Sequence, residues 1–195
     1  LMKPFLILDS PNLKIKDFRT LLLTLGLLTM ALQIQAVIVG WEIYQIKKSA
    51  LLLGLIGLTE AVPAITMAFF AGHLVDIYKP TKVYRLSLLA IMLNTLFIFS
   101  SVAPFFEMEQ NHRLLILFTG IFISGAARAF SSPSMFSLLP QIVPRNALSS
   151  GSAFSSTIHT FASIVGPALG GLIYGFAGAT WAFAIPCILS LIALY

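Results

Sequence analysis

The sequence predicts an all-α membrane protein with six transmembrane helices, and three observations predict it. Of its 195 residues, 58% are hydrophobic and 10% charged, with a mean hydropathy of +0.94, far more apolar than a water-facing domain. Long apolar stretches recur at roughly the ~20 residues that cross ~30 Å of hydrocarbon. The Lys and Arg fall mainly in the breaks between them. A soluble domain needs a polar exterior, and residues 51–75, 86–106 and 114–127 carry too few charges to make one.

The expected organisation is an N-terminal segment over residues 1–19 and a membrane domain over residues 20–195. Lys3 precedes only a short apolar run, ended by Asp9 and Pro11, so a cleaved signal peptide is not expected. The predicted spans are about 20–45, 51–75, 83–106, 113–138, 152–176 and 179–195. Turn-forming or charged breaks separate them: Lys47-Lys48-Ser49, Lys79-Pro80-Thr81, residues 107–113, Pro144-Arg145-Asn146 and residues 175–178. Lys3, Lys14, Lys16, Arg19, Lys79, Lys82, Arg85 and Arg145 then fall on one side of the membrane, and Lys47, Lys48 and Arg113 on the other. The basic excess makes the first side cytoplasmic, with the N-terminus inside. The last span ends at Tyr195 without a polar flank, and Leu1 stands where an initiator Met is usual, so the chain reads as a fragment.

The net charge of +5 is a set of topology signals rather than a nucleic-acid patch, and no aromatic and basic surface points to nucleic acid. Cys187 is the only cysteine, which leaves no disulfide framework and no thiolate metal cluster. No nucleophile with a base, phosphate-cradling glycine loop or metal-ligand cluster is visible, so neither an enzyme nor a cofactor or metal is expected.

Ionisable groups inside spans are the first functional candidates, because they are costly in lipid and face a bundle interior or a wet cavity. Glu60 lies near the middle of the second span in Gly57-Leu-Thr-Glu60-Ala-Val-Pro63, with Pro63 freeing a backbone carbonyl nearby. It is either a proton carrier or a structural carboxylate bonded to a neighbouring helix. Arg128, in Ser124-Gly-Ala-Ala-Arg128-Ala-Phe-Ser131, is a permanent charge that must find an acceptor. Gln35 and Glu42 share one side of the first span, and Ser87, Asn94 and Ser101 recur at heptad spacing in the third. Interhelical hydrogen bonds explain most such residues. His159 shares a face of the fifth span with Ser152, Ser163, Gly166 and Gly170, as a proton relay or a packing donor. The run Ala162-x-x-x-Gly166-Pro167-x-x-Gly170-Gly171 places small residues where another helix can approach closely, and Pro167 bends the helix there.

Four stretches together resemble the major facilitator superfamily, in the bacterial exporter branch that includes the enterobactin exporter. Gly72-His-Leu-Val-Asp76-Ile-Tyr-Lys79-Pro-Thr-Lys82 is similar to the family's loop signature, although Ile77 replaces its usual Arg. Gly166-Pro167-Ala-Leu-Gly170-Gly171 is similar to the fifth-helix motif of proton-coupled antiporters. Arg128 sits where the family's fourth-helix motif has an arginine associated with proton coupling. Gly40-Trp41-Glu42-Ile43-Tyr44 with the Glu60 stretch looks typical of the exporter branch.

The resemblance implies an N-terminal six-helix half made of two inverted three-helix repeats, working with a C-terminal half absent from this chain by alternating access. It also implies that the Asp76 loop latches against the other half and that the Gly-Pro helix packs between halves. The expected function is proton-driven export of a small amphipathic molecule, such as a siderophore or drug, across the bacterial cytoplasmic (inner) membrane. Glu60, Arg128, His159, Gln35 and Asn94 are the candidates for coupling or for the substrate cavity. Uptake of a nutrient or lipid, or a membrane module that transports nothing, are the alternatives.

Overall fold

The computed structural model describes residue 12, residues 15–102 and residues 109–194. Within them the chain forms α1 (Lys16–Lys47), α2 (Ala50–Ile77), α3 (Pro80–Ser100), α4 (Gln110–Ile142), a single 3₁₀ turn (Arg145–Ala147) and α5 (Leu148–Leu194). Each helix is long and apolar enough to cross a membrane. Lys48 ends α1 in the left-handed conformation at φ 47°, and its N–H closes on the Tyr44 carbonyl. Pro80 opens α3 at a position where its missing N–H costs nothing.

The sequence predicts two spans where the structure has one helical run of 47 residues, interrupted at Gly178, where φ is 79° and ψ 177°. A straight helix of that length would reach about 70 Å. Yet Leu148 and Leu194, at its two ends, pack against the same apolar cluster, so the chain must double back. Gly178 is the reversal, because its backbone conformation is open essentially to glycine alone; Gly175 stays helical. The two arms, residues 148–177 and 179–194, lie antiparallel.

Two clusters mark the ends of the bundle. At the first end, Phe18 and Leu22 of α1 meet Tyr84 and Leu88 of α3, Leu138 and Leu139 of α4, and Ala147. At the second, Ile38 and Ile43 of α1 meet Ile98 of α3, Leu117 of α4, and Ala182 and Phe183 of the second α5 arm. The helices therefore alternate in direction. Among the described residues, Lys16, Arg19, Lys79, Lys82, Arg85 and Arg145 belong to segments at the first end, and Lys47, Lys48 and Arg113 to segments at the second, the sorting that the sequence predicts. Buried Asn12 ties the N-terminal segment to the first end, donating to the Ala147 carbonyl at 3.0 Å and to Ser150 Oγ at 2.7 Å.

Helix boundaries differ from the expected spans because polar residues continue a helix beyond hydrocarbon: α1 begins at Lys16 rather than 20, and α4 at Gln110 rather than 113. Helix α3 ends at Ser100, and the expected continuation over residues 103–106 lies outside the described residues, as do residues 1–11, 13–14 and Tyr195. Helix α1 packs most extensively on α5, and α2 mainly on α4. Most of α2 is uncovered, with Leu51 74% and Phe69 81% exposed.

Gly178→Ala should lower stability by about 1–3 kcal/mol, purely through backbone strain, since no atom lies within 4 Å of the added methyl. Gly175→Ala, helical and equally open, should be neutral or slightly stabilising. Thermal unfolding of the two variants in detergent separates these outcomes.

Candidate functional site

The polar centre of the bundle arises where α2 docks on α4. A Cβ at Gly125 would collide with the Glu60 carbonyl oxygen and would lie 3.0 Å from Cγ of Pro63, so α2 reaches α4 this closely only because Gly125 has no side chain. Pro63 is buried in that contact. The docking sets the two intramembrane charges against each other: Arg128 Nη1 donates to Glu60 Oε1 in a salt bridge. Each charge is the partner that the sequence requires of the other.

Arg128 lines two cavities. The smaller, about 30 Å³ and wide enough for a water molecule, lies between α1, α2 and α4, where Gln35, Glu60, Ser124 and Arg128 converge. Gln35 is buried, and its Oε1 has no hydrogen-bond partner. The larger, about 470 Å³, lies between α1, α4 and the first arm of α5. Its polar lining includes Gln33, Arg128, Ser131, Ser152, Ser156 and His159, and Leu25, Leu28, Met135 and Phe136 supply apolar wall. Of the sequence candidates, Glu60 and Gln35 line the smaller cavity, His159 lines the larger, and Arg128 lines both.

Asn94 does not join them. It is buried and donates to the Gly120 carbonyl at 3.0 Å and to Ser124 Oγ at 3.2 Å, which makes it a bolt between α3 and α4. Ser87 and Ser101 bond back to carbonyls of their own helix, Tyr84 and Ile98. In the fifth-helix motif, Gly166 and Gly170 pack on α1: their Cβ positions lie 2.8 Å from Gln33 Cβ and 3.1 Å from the Ile34 carbonyl. The close approach predicted for these small residues therefore occurs within the bundle, against α1. Half-buried Pro167 and exposed Gly171 lie on other faces of the same arm. Gly72, Asp76, Lys79 and Lys82 are all exposed around the α2–α3 link at the first end, and among the described residues Asp76 forms no salt bridge.

A second charge pair, half-buried, escapes sequence reading. Arg113 Nη2 donates to Glu42 Oε2 at 2.7 Å, and the Tyr174 hydroxyl donates to Glu42 Oε1 at 2.6 Å. One carboxylate thereby ties α1, α4 and α5 at the second end, with Trp41 edge-on to Tyr174. Glu42 on the buried face of α1 is visible in the sequence. Arg113 reads there as a loop charge, and only its place in the first turn of α4 turns it towards α1.

A model of the Major Facilitator Superfamily matches residues 21–195. The chain belongs to the major facilitator superfamily. It is 25% identical over 168 residues to a protein of Sinorhizobium fredii described as an uncharacterized MFS-type transporter, y4rN, a match covering 86% of this chain and 36% of the relative. The chain thus spans about a third of the length of that curated relative. No solved structure matches it. Superfamily members are multi-pass membrane transporters, which fits the apolar helices of this bundle.

Gly125→Val should push α2 away from α4 and part the charge pair. The expected cost is about 1–3 kcal/mol of stability, read by thermal unfolding, while Gly57→Ala, with no atom near its Cβ, leaves the protein unchanged.

Proposed function

We propose that this chain is the N-terminal half of a proton-coupled secondary transporter that carries a small amphipathic molecule by alternating access. The single observation that carries the reading is the Glu60–Arg128 salt bridge at the wall of a cavity with room for water, within apolar helices. A carboxylate that can exchange a cationic partner for a proton is a coupling device, because protonation frees the arginine and loosens α2 from α4. His159 lines the larger cavity on the other side of Arg128, as a relay.

In this reading the chain crosses the membrane six times, with Gly178 as the turn between the last two crossings, and the first end is cytoplasmic because it holds the basic excess. The uncovered faces of α2 and the first α5 arm, where Phe69, Phe161 and Phe176 are exposed, receive a C-terminal half of the same protein. The larger size of the relative supports this. The exposed Asp76 loop is then the latch between halves, in a bacterial inner membrane.

Export is the direction that the resemblance implies. A cation that replaces Arg128 at Glu60 competes with the proton, as exchange requires; an anion that replaces Glu60 at Arg128 binds together with the proton, as uptake requires. The full-length protein reconstituted in liposomes tests the reading with fluorescent amphipathic cations and anions. Glu60→Gln should retain exchange of labelled for unlabelled probe and lose accumulation driven by a pH gradient. Accumulation at the wild-type rate would remove Glu60 from coupling.

A further inference from the structure

The chemistry of the larger cavity names the class of molecule that fits it. Its lining holds one permanent cation, Arg128, one histidine, His159, and a set of hydroxyl and amide donors from Gln33, Ser131, Ser152 and Ser156. Among the described residues no carboxylate lines it; Glu60 lies on the other side of Arg128, in the smaller cavity. Leu28, Met135 and Phe136 form an apolar flank. At about 470 Å³ it is large enough for a compact organic molecule. A cationic guest would meet Arg128 without a compensating charge, whereas an anionic guest finds a guanidinium with a planar fork of donors.

We infer that this cavity takes a small amphipathic organic anion, whose acidic group replaces Glu60 on Arg128 while its apolar body lies against Leu28, Met135 and Phe136. The inference rests on Glu60 and Arg128 forming the coupling pair, and it names what trades places with Glu60. Arg128 serves two acceptors, Glu60 from the smaller cavity and the guest from the larger. When the guest takes the guanidinium, Glu60 is left beside a negative charge without its cation, and it takes a proton from water. Gln35 Oε1, a buried acceptor with no donor in that smaller cavity, is there for the new hydroxyl.

The titratable and charged groups facing this pair are few: Arg128 on α4, Glu60 on α2, His159 on α5 and none from α1, whose contributions are Thr29, Gln33 and Gln35. Anion and proton therefore bind cooperatively, and each raises the affinity of the other by the same factor. Cooperative binding suits a carrier that moves both in one direction, so an anion favours the uptake arm of the proposed function.

The test uses the purified full-length protein and three probes with one aromatic body: naphthoate, naphthamide and naphthylmethylammonium. Naphthoate, ionised throughout mildly acidic and mildly alkaline buffer, should raise the unfolding temperature, and the amide and the ammonium should not. In weakly buffered solution its binding should draw in about one proton per site. Glu60→Gln should keep naphthoate binding and lose the proton uptake, and Arg128→Gln should lose binding. If Arg128→Gln does not fold, the Glu60→Gln, Arg128→Gln double variant leaves no unpaired charge and serves instead.

Stabilisation by the ammonium with proton release through Glu60 would overturn the anion assignment while leaving the coupling pair standing. Naphthoate binding with proton uptake that persists in Glu60→Gln would overturn the exchange at Arg128 and the coupling pair with it. Binding undiminished in the arginine variants, or no response to any probe, would overturn the assignment of the cavity.

Discussion

Arg128→Gln should stop coupled transport and cost about 2 kcal/mol of stability, whereas Arg128→Gln combined with Glu60→Gln should recover most of the stability and none of the coupling. The salt bridge is neither at the surface nor fully enclosed: the Arg128 and Glu60 side chains are 42% and 31% exposed. Exposed pairs contribute up to ~1 kcal/mol, while breaking a buried one costs ~3–5 kcal/mol, mainly because the remaining charge is left without a partner. This pair falls between those limits. The double variant removes both charges, so no uncompensated group stays behind, and a double-mutant cycle isolates the coupling between them. Unfolding in detergent reads the stability, and pH-gradient-driven uptake reads the function. Equal stability losses in the single and double variants would show that the two residues act independently.

Glu42→Ala should be the most destabilising single polar substitution, by about 3 kcal/mol or more, without directly touching the cavity. The Glu42 side chain is 7% exposed and that of Arg113 28%. Removing the carboxylate strands a guanidinium whose Nε already lacks a partner, and it frees the Tyr174 hydroxyl. Tyr174→Phe deletes one hydrogen bond and should cost only about 1 kcal/mol. Glu42→Gln keeps an acceptor for Tyr174 and should fall between the two. Because Glu42 joins α1, α4 and the first α5 arm, its loss should loosen the second end selectively, visible as faster hydrogen exchange near Trp41 and Tyr174 than near Phe18.

The bundle was legible because hydropathy alone dictates helices in lipid, and the breaks at Lys47-Lys48 and Lys79-Pro80 fall where chain direction reverses. The turn at Gly178 was legible as a break and not as a sharp one: one glycine in a glycine-only conformation suffices, and its neighbours stay helical. Glu60 and Arg128 stood out because a charge in an apolar run is its own signal. Their pairing was not readable, since it depends on Gly125 letting α2 settle on α4, and a glycine beside Ser124 carries no mark of that contact.

Asn94 illustrates the opposite error. A polar residue on a helix face looks the same whether it lines a cavity or bolts two helices, and only the Gly120 carbonyl within reach decides for the bolt. Arg113 was missed because its partner lies 71 residues away in the chain and the residue borders a break that suggested solvent. The fifth-helix glycines were correctly read as a close-packing stripe; the resemblance placed that helix between halves, whereas Gly166 and Gly170 meet α1.

The most direct test of proton coupling through Glu60 is the external pH of weakly buffered liposomes holding the full-length protein when a transported amphipathic probe is added without any imposed gradient. The account predicts a probe-driven proton movement in the wild type that disappears in Glu60→Gln while probe exchange continues. A proton movement of undiminished size in Glu60→Gln would contradict it.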